Sequence, residues 1–366
     1  MNRTSRTRDH DVPADDSAQI PLVVRFGRVG DMALHIPLLR LLHKRYRHPC
    51  TVLTSGPWSR PLFAGSEDVA SIWQLRARHG QLLLSPERWR VVLALRRHRG
   101  PIYVTEDMPR HIAKIRRLFW LAGIGPDQCV FLIDHPIREV EHWVDRLQRI
   151  GQLTPKAFDG SRFPVVREDI WSAPRLAVGE DDRRDLDAWL RKRGFSPDRP
   201  LVVLHPGNKR SMKWGRPRSV DSKAWPVERW VGLVRAMHRL LPTATLLLCG
   251  SKAEQNLLDE IHCAAALDVV ALATDDLPLR RYIALLEIAH SMVAVDTGPA
   301  HLAAAVGCPL VVLYGADSPL RWSRRSPVQR PVLELGGTSP QGGIRDIQLD
   351  DVIDAWLSVA PKFAQA

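Results

Sequence analysis

At 366 residues the chain exceeds the length at which one hydrophobic core keeps growing, and a hydrophobic content of 45% can fill two domains of ordinary size. A net charge of +12 and a pI near 10.0 point to a polyanionic partner: nucleic acid, an anionic membrane surface or a phosphate-rich substrate. Five scattered cysteines without a Cys-x-x-Cys pair argue against a disulfide framework and a zinc site and fit a reducing cytoplasm, and no window approaches the roughly 18 apolar residues of a membrane span.

In chain order, residues 1–19 are polar, lack the apolar region of a signal peptide, and read as a disordered tail, so any membrane contact is expected to be peripheral. The stretch "IPLVVRFGRVGDMALHIPLLRLLHKRY" then predicts an apolar strand at 21–26, a glycine turn, and a helix in which Leu34, Leu38, Leu41 and Leu42 recur near helical spacing. "CTVLTS" reads as a second strand, "VVLALRRH" as an ambiguous apolar run, and "PIYVTED" as a strand ending in acids. From about 126 to 196 the pattern is irregular, closing on the charged amphipathic helix "GEDDRRDLDAWLRKRGF".

The alternation then restarts with strand "PLVVLHPG", helix "WPVERWVGLVRAMHRL", strand "ATLLLCG", helix "EQNLLDEIHCAA", strand "DVVALA", helix "LRRYIALLEIAH", strand "MVAVD", helix "PAHLAAAVG" and strand "PLVVLYG". A final amphipathic helix is "IQLDDVIDAWLSVA". Strands alternating with helices predict an α/β fold of two doubly wound domains, over 20–190 and 197–345, facing each other across a cleft at the carboxyl ends of their sheets.

Four turns could carry chemistry. In "MVAVDTGPAHLAAAVGCPLVVLYG" a buried strand ends on Asp296, Thr297 and Gly298 at the start of a small-residue helix, where backbone N–H groups and the helix dipole suit a phosphate; a plain helix cap by Asp296 or Thr297 is the alternative. "FGRVGD" is not a dinucleotide-binding GxGxxG, and sets Asp31 at a helix start, as a cap or as a general base. "HPGNKRSMKWGRPRSVDSKAWPVERW" holds six Lys or Arg against one Asp between Lys209 and Lys223, suiting a pyrophosphate near Gly207, or a solvated basic loop. "CGSKAEQNLL" places Glu254 in a first helical turn, where it could accept from ribose hydroxyls or serve only the helix.

The first domain also holds seven Arg and one Glu between 76 and 99, followed by Arg110, Lys114, Arg116 and Arg117. Such a face suits a phosphorylated lipid surface, a nucleic acid or mere solubility, and no zinc finger or RRM signature supports nucleic acid.

Taken in this order, the "GD" after the first strand, the "HPG" turn, "KAWPVERW", "CGSKAE" and "VAVDTGPAHLAAAVGCPLVVLYGADSP" resemble the bacterial heptosyltransferases of glycosyltransferase family 9 over about 21–358. These transfer heptose from an ADP-sugar to the inner core of lipopolysaccharide. The resemblance implies a GT-B fold, with the donor nucleotide on the C-terminal domain, the acceptor on the N-terminal one, and the helix within 346–366 packing back toward the first domain. It implies Asp31 as general base, and Gly207, Lys223, Glu254, Asp296, Thr297, Gly298 and His301 as donor-binding residues. Lys213 is a rival to Lys223, because the basic insertion between "HPG" and "KAWP" is long. Arg28 and Arg116 are the candidate acceptor contacts.

The expected reaction is inverting transfer needing no metal or other cofactor, with a nucleotide-sugar donor and an anionic glycolipid acceptor at the inner face of the inner membrane, and no nucleic-acid partner. A nucleotide-sugar epimerase or hydrolase of the same shape, a heptosyltransferase with a protein acceptor, and a binder of nucleic acid or membrane on charge alone are the rival readings.

Overall fold

Runs such as 22–24, 50–54 and 201–205 are apolar and buried along their whole length, as parallel strands covered on both faces by crossover helices must be. The computed structural model describes residues 20–75, 86–166, 173–208, 222–315, 319–328, 330–337 and 343–361. The tail at 1–19, Lys213 and the arginines at 76 and 78 lie outside the described residues.

The first lobe runs β1 (Leu22–Val24), α1 (Val29–Ala33), α2 (Ile36–Tyr46), β2 (Cys50–Thr54), α3 (Ser59–Leu62), β3 (Val69–Gln74), α4 (Pro86–Arg97), β4 (Ile102–Val104), α5 (Pro109–Ala122), β5 (Cys129–Phe131) and α6 (Trp143–Gly151). After α7 (Glu180–Lys192) the second lobe runs β6 (Leu201–His205), α8 (Val227–Leu240), β7 (Thr245–Cys249), α9 (Gln255–Ala265), β8 (Val270–Ala273), α10 (Leu279–Ile288), β9 (Ser291–Val295), α11 (Gly298–Ala305), β10 (Leu310–Tyr314), α12 (Pro319–Trp322), β11 (Val332–Gly336) and α13 (Leu349–Val359). The apolar run "VVLALRRH" is thus helical, closing α4.

Both sheets are parallel, ordered β3-β2-β1-β4-β5 and β11-β10-β9-β6-β7-β8. The chain reverses its direction of winding between β1 and β4 in the first and between β6 and β9 in the second. At such switch points the loops at the strands' carboxyl ends part and leave a crevice for ligand.

On one side of the first sheet Val91, Leu95, Ile115 and Phe119 of α4 and α5 pack with Leu22, Val24 and Val104. On the other, α2 and α6 join a cluster that continues into α10, α11 and one face of the second sheet, so the lobes share apolar packing. The second sheet's remaining face is covered by α8, α9 and α13 around Trp230 and Trp356.

Two domain expectations need correction. Helix α7, placed by the sequence in the first domain, packs on α10 of the second: Arg281 forms a two-armed ion pair with Asp185 at 2.8 Å, Arg280 pairs with Asp182, and Arg183 pairs with Glu287 at 3.1 Å. Helix α13 does not pack back toward the first lobe. It buries Val352, Trp356 and Val359 against the second sheet, and Trp356 Nε1 donates to Ser291 Oγ at 2.9 Å. In both helices the apolar stripe finds its cover on the second lobe, that of α7 on α10 and that of α13 on the sheet. No described helix is long and apolar enough to cross a membrane.

Candidate active site

The turn after β1 brings Asp31 to the cleft. Asp31 occupies the first turn of α1, where its Oδ2 accepts from the backbone N–H of Arg28 at 2.8 Å, so the carboxylate does cap its helix. Its other oxygen stands 4.0 Å from Arg25 Nη2, and the side chain remains 30% exposed. One carboxylate therefore holds its own helix and keeps an oxygen for the cleft.

Behind it lies a buried polar network that fixes the turn. Arg25 donates to the Thr105 carbonyl at 2.7 Å and to Asp107 Oδ1 at 2.9 Å, and its guanidinium lies over the Trp143 ring. Glu106, buried, accepts from Phe26 N at 2.7 Å and pairs with His111 at 2.9 Å. His35 Nδ1 bonds the carbonyl of Asp31 at 2.7 Å while Nε2 meets Thr105 Oγ1 at 2.9 Å. Burial, with Arg25 adding, holds that imidazole down to about 3, so it is neutral and donates through Nδ1.

The second lobe answers from the end of β9. Thr297 is extended, its side chain makes no capping hydrogen bond, and the first turn of α11 contains Pro299, so the N–H groups of Gly298, Ala300 and His301 begin the helix. Buried Ala303, Ala304 and Ala305 let this short helix lie close to the sheet. Asp296 faces two cations: it accepts from Arg324 Nη2 at 2.5 Å and forms an ion pair with Lys223 Nζ. Burial alone would raise its carboxyl, but Arg324 and Lys223 outweigh that and hold it well below the ordinary carboxylate range.

Arg324 is fully buried, also donates to the Thr297 carbonyl at 3.3 Å and meets the Tyr314 hydroxyl. Behind it Glu334 accepts from Arg324 N at 2.7 Å and from the Tyr314 hydroxyl at 3.0 Å, and burial raises its carboxyl. Lys223 and Arg324 thus stand beside the α11 amides, where cations and N–H donors together suit a diphosphate.

Lys223 is placed by its backbone. Its carbonyl accepts from Asn208 Nδ2 at 3.2 Å, tying it to the "HPGN" turn, and a Cβ on Gly315 would collide with the carbonyl of neighbouring Ser222. Glu254 is buried, with Oε2 accepting from Ser251 N and Oγ, each at 2.8 Å. Its other oxygen lies against Gly207, where any Cβ would overlap it.

The lobes meet at these same turns. A Cβ on Gly30 would fall 2.9 Å from Gly298 Cα and 3.1 Å from His301 Cδ2. His301 is buried, and burial, with Arg324 adding, keeps it well below its usual range and so neutral. A second seam joins the segment after α12 to α6: Trp322 stacks on Trp143 at 4.9 Å between centroids, His142 Nε2 donates to the Ser323 carbonyl at 2.9 Å, and Arg325 grips Asp145 at 2.6 and 2.7 Å.

Asp31, Asp296, Thr297, Gly298, His301 and Lys223 are therefore gathered at the junction of the lobes, with Gly207 and Glu254 paired behind the Asn208 turn. Arg28 is exposed at the N-cap of α1, next to Asp31. Arg116 is not in the cleft: it lies on the outward face of α5, over the Phe131 ring, because α5 turns its apolar side to the sheet. Sequence reasoning missed Arg324, Arg25 and His35. The acids of "PIYVTED" signalled Glu106 and Asp107, but nothing local marks the arginine of "WSRRSP" as buried.

Residues 172–341 match the family model for glycosyltransferase family 9 (heptosyltransferase). The chain is 25% identical to lipopolysaccharide heptosyltransferase 2 of Escherichia coli K12, over 81% of this chain and 83% of that protein. Among solved structures, the ADP-heptose lipopolysaccharide heptosyltransferase II of E. coli superposes with a TM-score of 0.68 at 21% identity, over 93% of this chain and 98% of that one. A glycosyl transferase family 9 structure from Veillonella parvula superposes with a TM-score of 0.72 at 16% identity, over 93% and 97%. With two parallel α/β lobes meeting at their switch points, the architecture is GT-B; residues 172–341 form a glycosyltransferase family 9 domain, and the protein is a glycosyltransferase.

Proposed function

We propose that this enzyme moves heptose from ADP-heptose to a hydroxyl of the lipopolysaccharide inner core, with inversion and without a metal ion, at the cytoplasmic face of the inner membrane. The observation that carries the reading is the apposition of Asp31 and the start of α11 through the Gly30–Gly298 contact. It sets a carboxylate against the place where a diphosphate would dock. The similarity to lipopolysaccharide heptosyltransferases supplies the sugar, the nucleotide and the acceptor class.

In the proposed step the acceptor oxygen attacks the anomeric carbon as its proton passes to Asp31. The bond from that carbon to the diphosphate oxygen breaks, and ADP leaves carrying the electron pair. Lys223 and the α11 amides stabilise the charge that develops on the leaving oxygen, the task a divalent cation performs elsewhere.

The test is to supply ADP-heptose and a core oligosaccharide, with and without chelator, and to assign the anomeric configuration of the product by NMR. Inversion with undiminished turnover in chelator is expected. Retention, loss of turnover in chelator, or donor consumption without glycoside would each overturn the reading, the last in favour of a hydrolase or epimerase.

A further inference from the structure

Helices α4 and α5 bury Val91, Val92 and Leu95 together with Ile115, Leu118 and Phe119 against the same side of the first sheet, so their opposite faces look outward side by side. Those faces expose Arg90, Leu93, Arg96 and Arg97 on α4, and Arg110, Lys114, Arg117 and Trp120 on α5, and the one carboxylate on either helix, Glu87, is half-buried in the first turn of α4. Trp120 is 77% and Leu93 48% exposed. Large apolar side chains set in water among cations are out of place on a solubilising face. They are the composition of helices that lie in the headgroup layer of an anionic bilayer, where lipid phosphates take the cations and the interface takes the apolar tips.

The face is also tied to the cleft. Helix α5 starts two residues after Asp107, which holds Arg25 at 2.9 Å, and Arg25 stands 4.0 Å from Asp31. At its other end Trp120 borders a cavity of about 610 Å3 walled by Phe119 and Phe131, whose rim carries Arg116 and Lys156 together with Asp127 and Asp134.

We propose that the outward face of α4 and α5 docks on an anionic lipid bilayer, with Trp120 and Leu93 in the interfacial layer, and so holds the Asp31 cleft at the membrane. A nucleic-acid duplex would engage the arginines but gain nothing from Leu93. The purpose of the docking rests on the glycolipid acceptor proposed above. The docking itself is measured without donor, acceptor or turnover, so its failure leaves glycosyl transfer untouched.

The experiment is co-sedimentation of the full chain with vesicles of phosphatidylcholine alone or mixed with phosphatidylglycerol, at low and high salt, with brominated lipid to quench tryptophan. Binding is expected only with phosphatidylglycerol and should weaken steeply with salt. The double variant Arg110→Glu/Arg117→Glu should lose at least tenfold in partitioning, since each cation near such a surface is worth about fivefold. Trp120→Ser should weaken binding and lower the quench by brominated lipid while leaving the melting temperature unchanged, and it carries the test if the double variant fails to fold. Equal binding to both vesicles, unchanged partitioning of both variants, or displacement from vesicles by stoichiometric duplex DNA would overturn the proposal, the last in favour of nucleic acid.

Discussion

Gly30 and Gly298 touch across the two lobes: a methyl group on Gly30 would stand 2.9 Å from the Cα of Gly298. This contact lets the helix that carries Asp31 lie directly against the start of α11. Backbone is on the far side, so a side chain cannot be accommodated by a rotamer change. Gly30→Ala is expected to wedge the turns apart, costing about 1–3 kcal/mol as overpacking does, and to lower kcat at least tenfold. Stopped-flow turnover and thermal melting check this; an alanine variant with full kcat would show that the contact is dispensable.

Arg324 is a buried cation that shares Asp296 with Lys223. Removing it leaves Asp296 its lysine, so the cost should fall below the figure of about 3–5 kcal/mol for breaking a buried pair that has no second cation. Arg324→Met should therefore weaken donor nucleotide binding and stability together, whereas Arg324→Lys should recover part of the affinity by restoring the charge without the fork that also reaches the Thr297 carbonyl. Calorimetric titration with ADP distinguishes them, and equal affinities for both variants would mean that the charge plays no part.

His35 links the helix of Asp31 to Thr105, and burial keeps its folded-state value near 3, below the ordinary 6.5. As pH falls through 6.5 the unfolded chain takes up this proton and the folded protein does not. Stability is thus full above pH 6.5 and is lost progressively below it, at up to about 1.4 kcal/mol per pH unit for one group. Replacement by Gln should flatten the slope of melting temperature against pH between 4.5 and 6.5 by one proton's worth. An unchanged slope would assign the titration to other groups.

The seam between α6 and the segment after α12 is built from a ring stack and a two-armed ion pair, both reaching from one lobe to the other. Asp145 is 46% exposed, so Asp145→Ala should cost less than about 1 kcal/mol of stability. The same segment carries Arg324 to Asp296, and loosening it should raise the donor KM by several-fold with kcat less affected. A variant whose KM matches the parent would uncouple the seam from the donor site.

Much of the second lobe could be read from the sequence because buried parallel strands are written as short apolar runs that stop on Gly or Asp, as at 201–207 and 291–298. The three-residue β5 and the ambiguous run now within α4 offered no such contrast. An amphipathic stripe tells which face a helix buries but not which sheet covers it, and for that reason α7 and α13 were placed on the wrong lobe. In the site, turns and termini were visible as glycines next to acids, whereas Arg324 reaches Asp296 from 28 residues downstream and Lys223 from 73 residues upstream, separations that only the fold closes. Arg116 misled because charge near a domain says nothing about the direction a helix faces.

Asp31 is the residue on which the proposed chemistry turns, and the most direct measurement pairs donor affinity with turnover in Asp31→Ala. Removing a general base costs roughly a hundred- to ten-thousand-fold in rate, and the α11 amides, Lys223 and Glu254 lie on the other lobe. Turnover should therefore fall by at least a hundredfold with the dissociation constant for ADP-heptose changed by less than threefold. An alanine variant that still transfers sugar at the parent rate, or one that loses the donor altogether, would contradict the account.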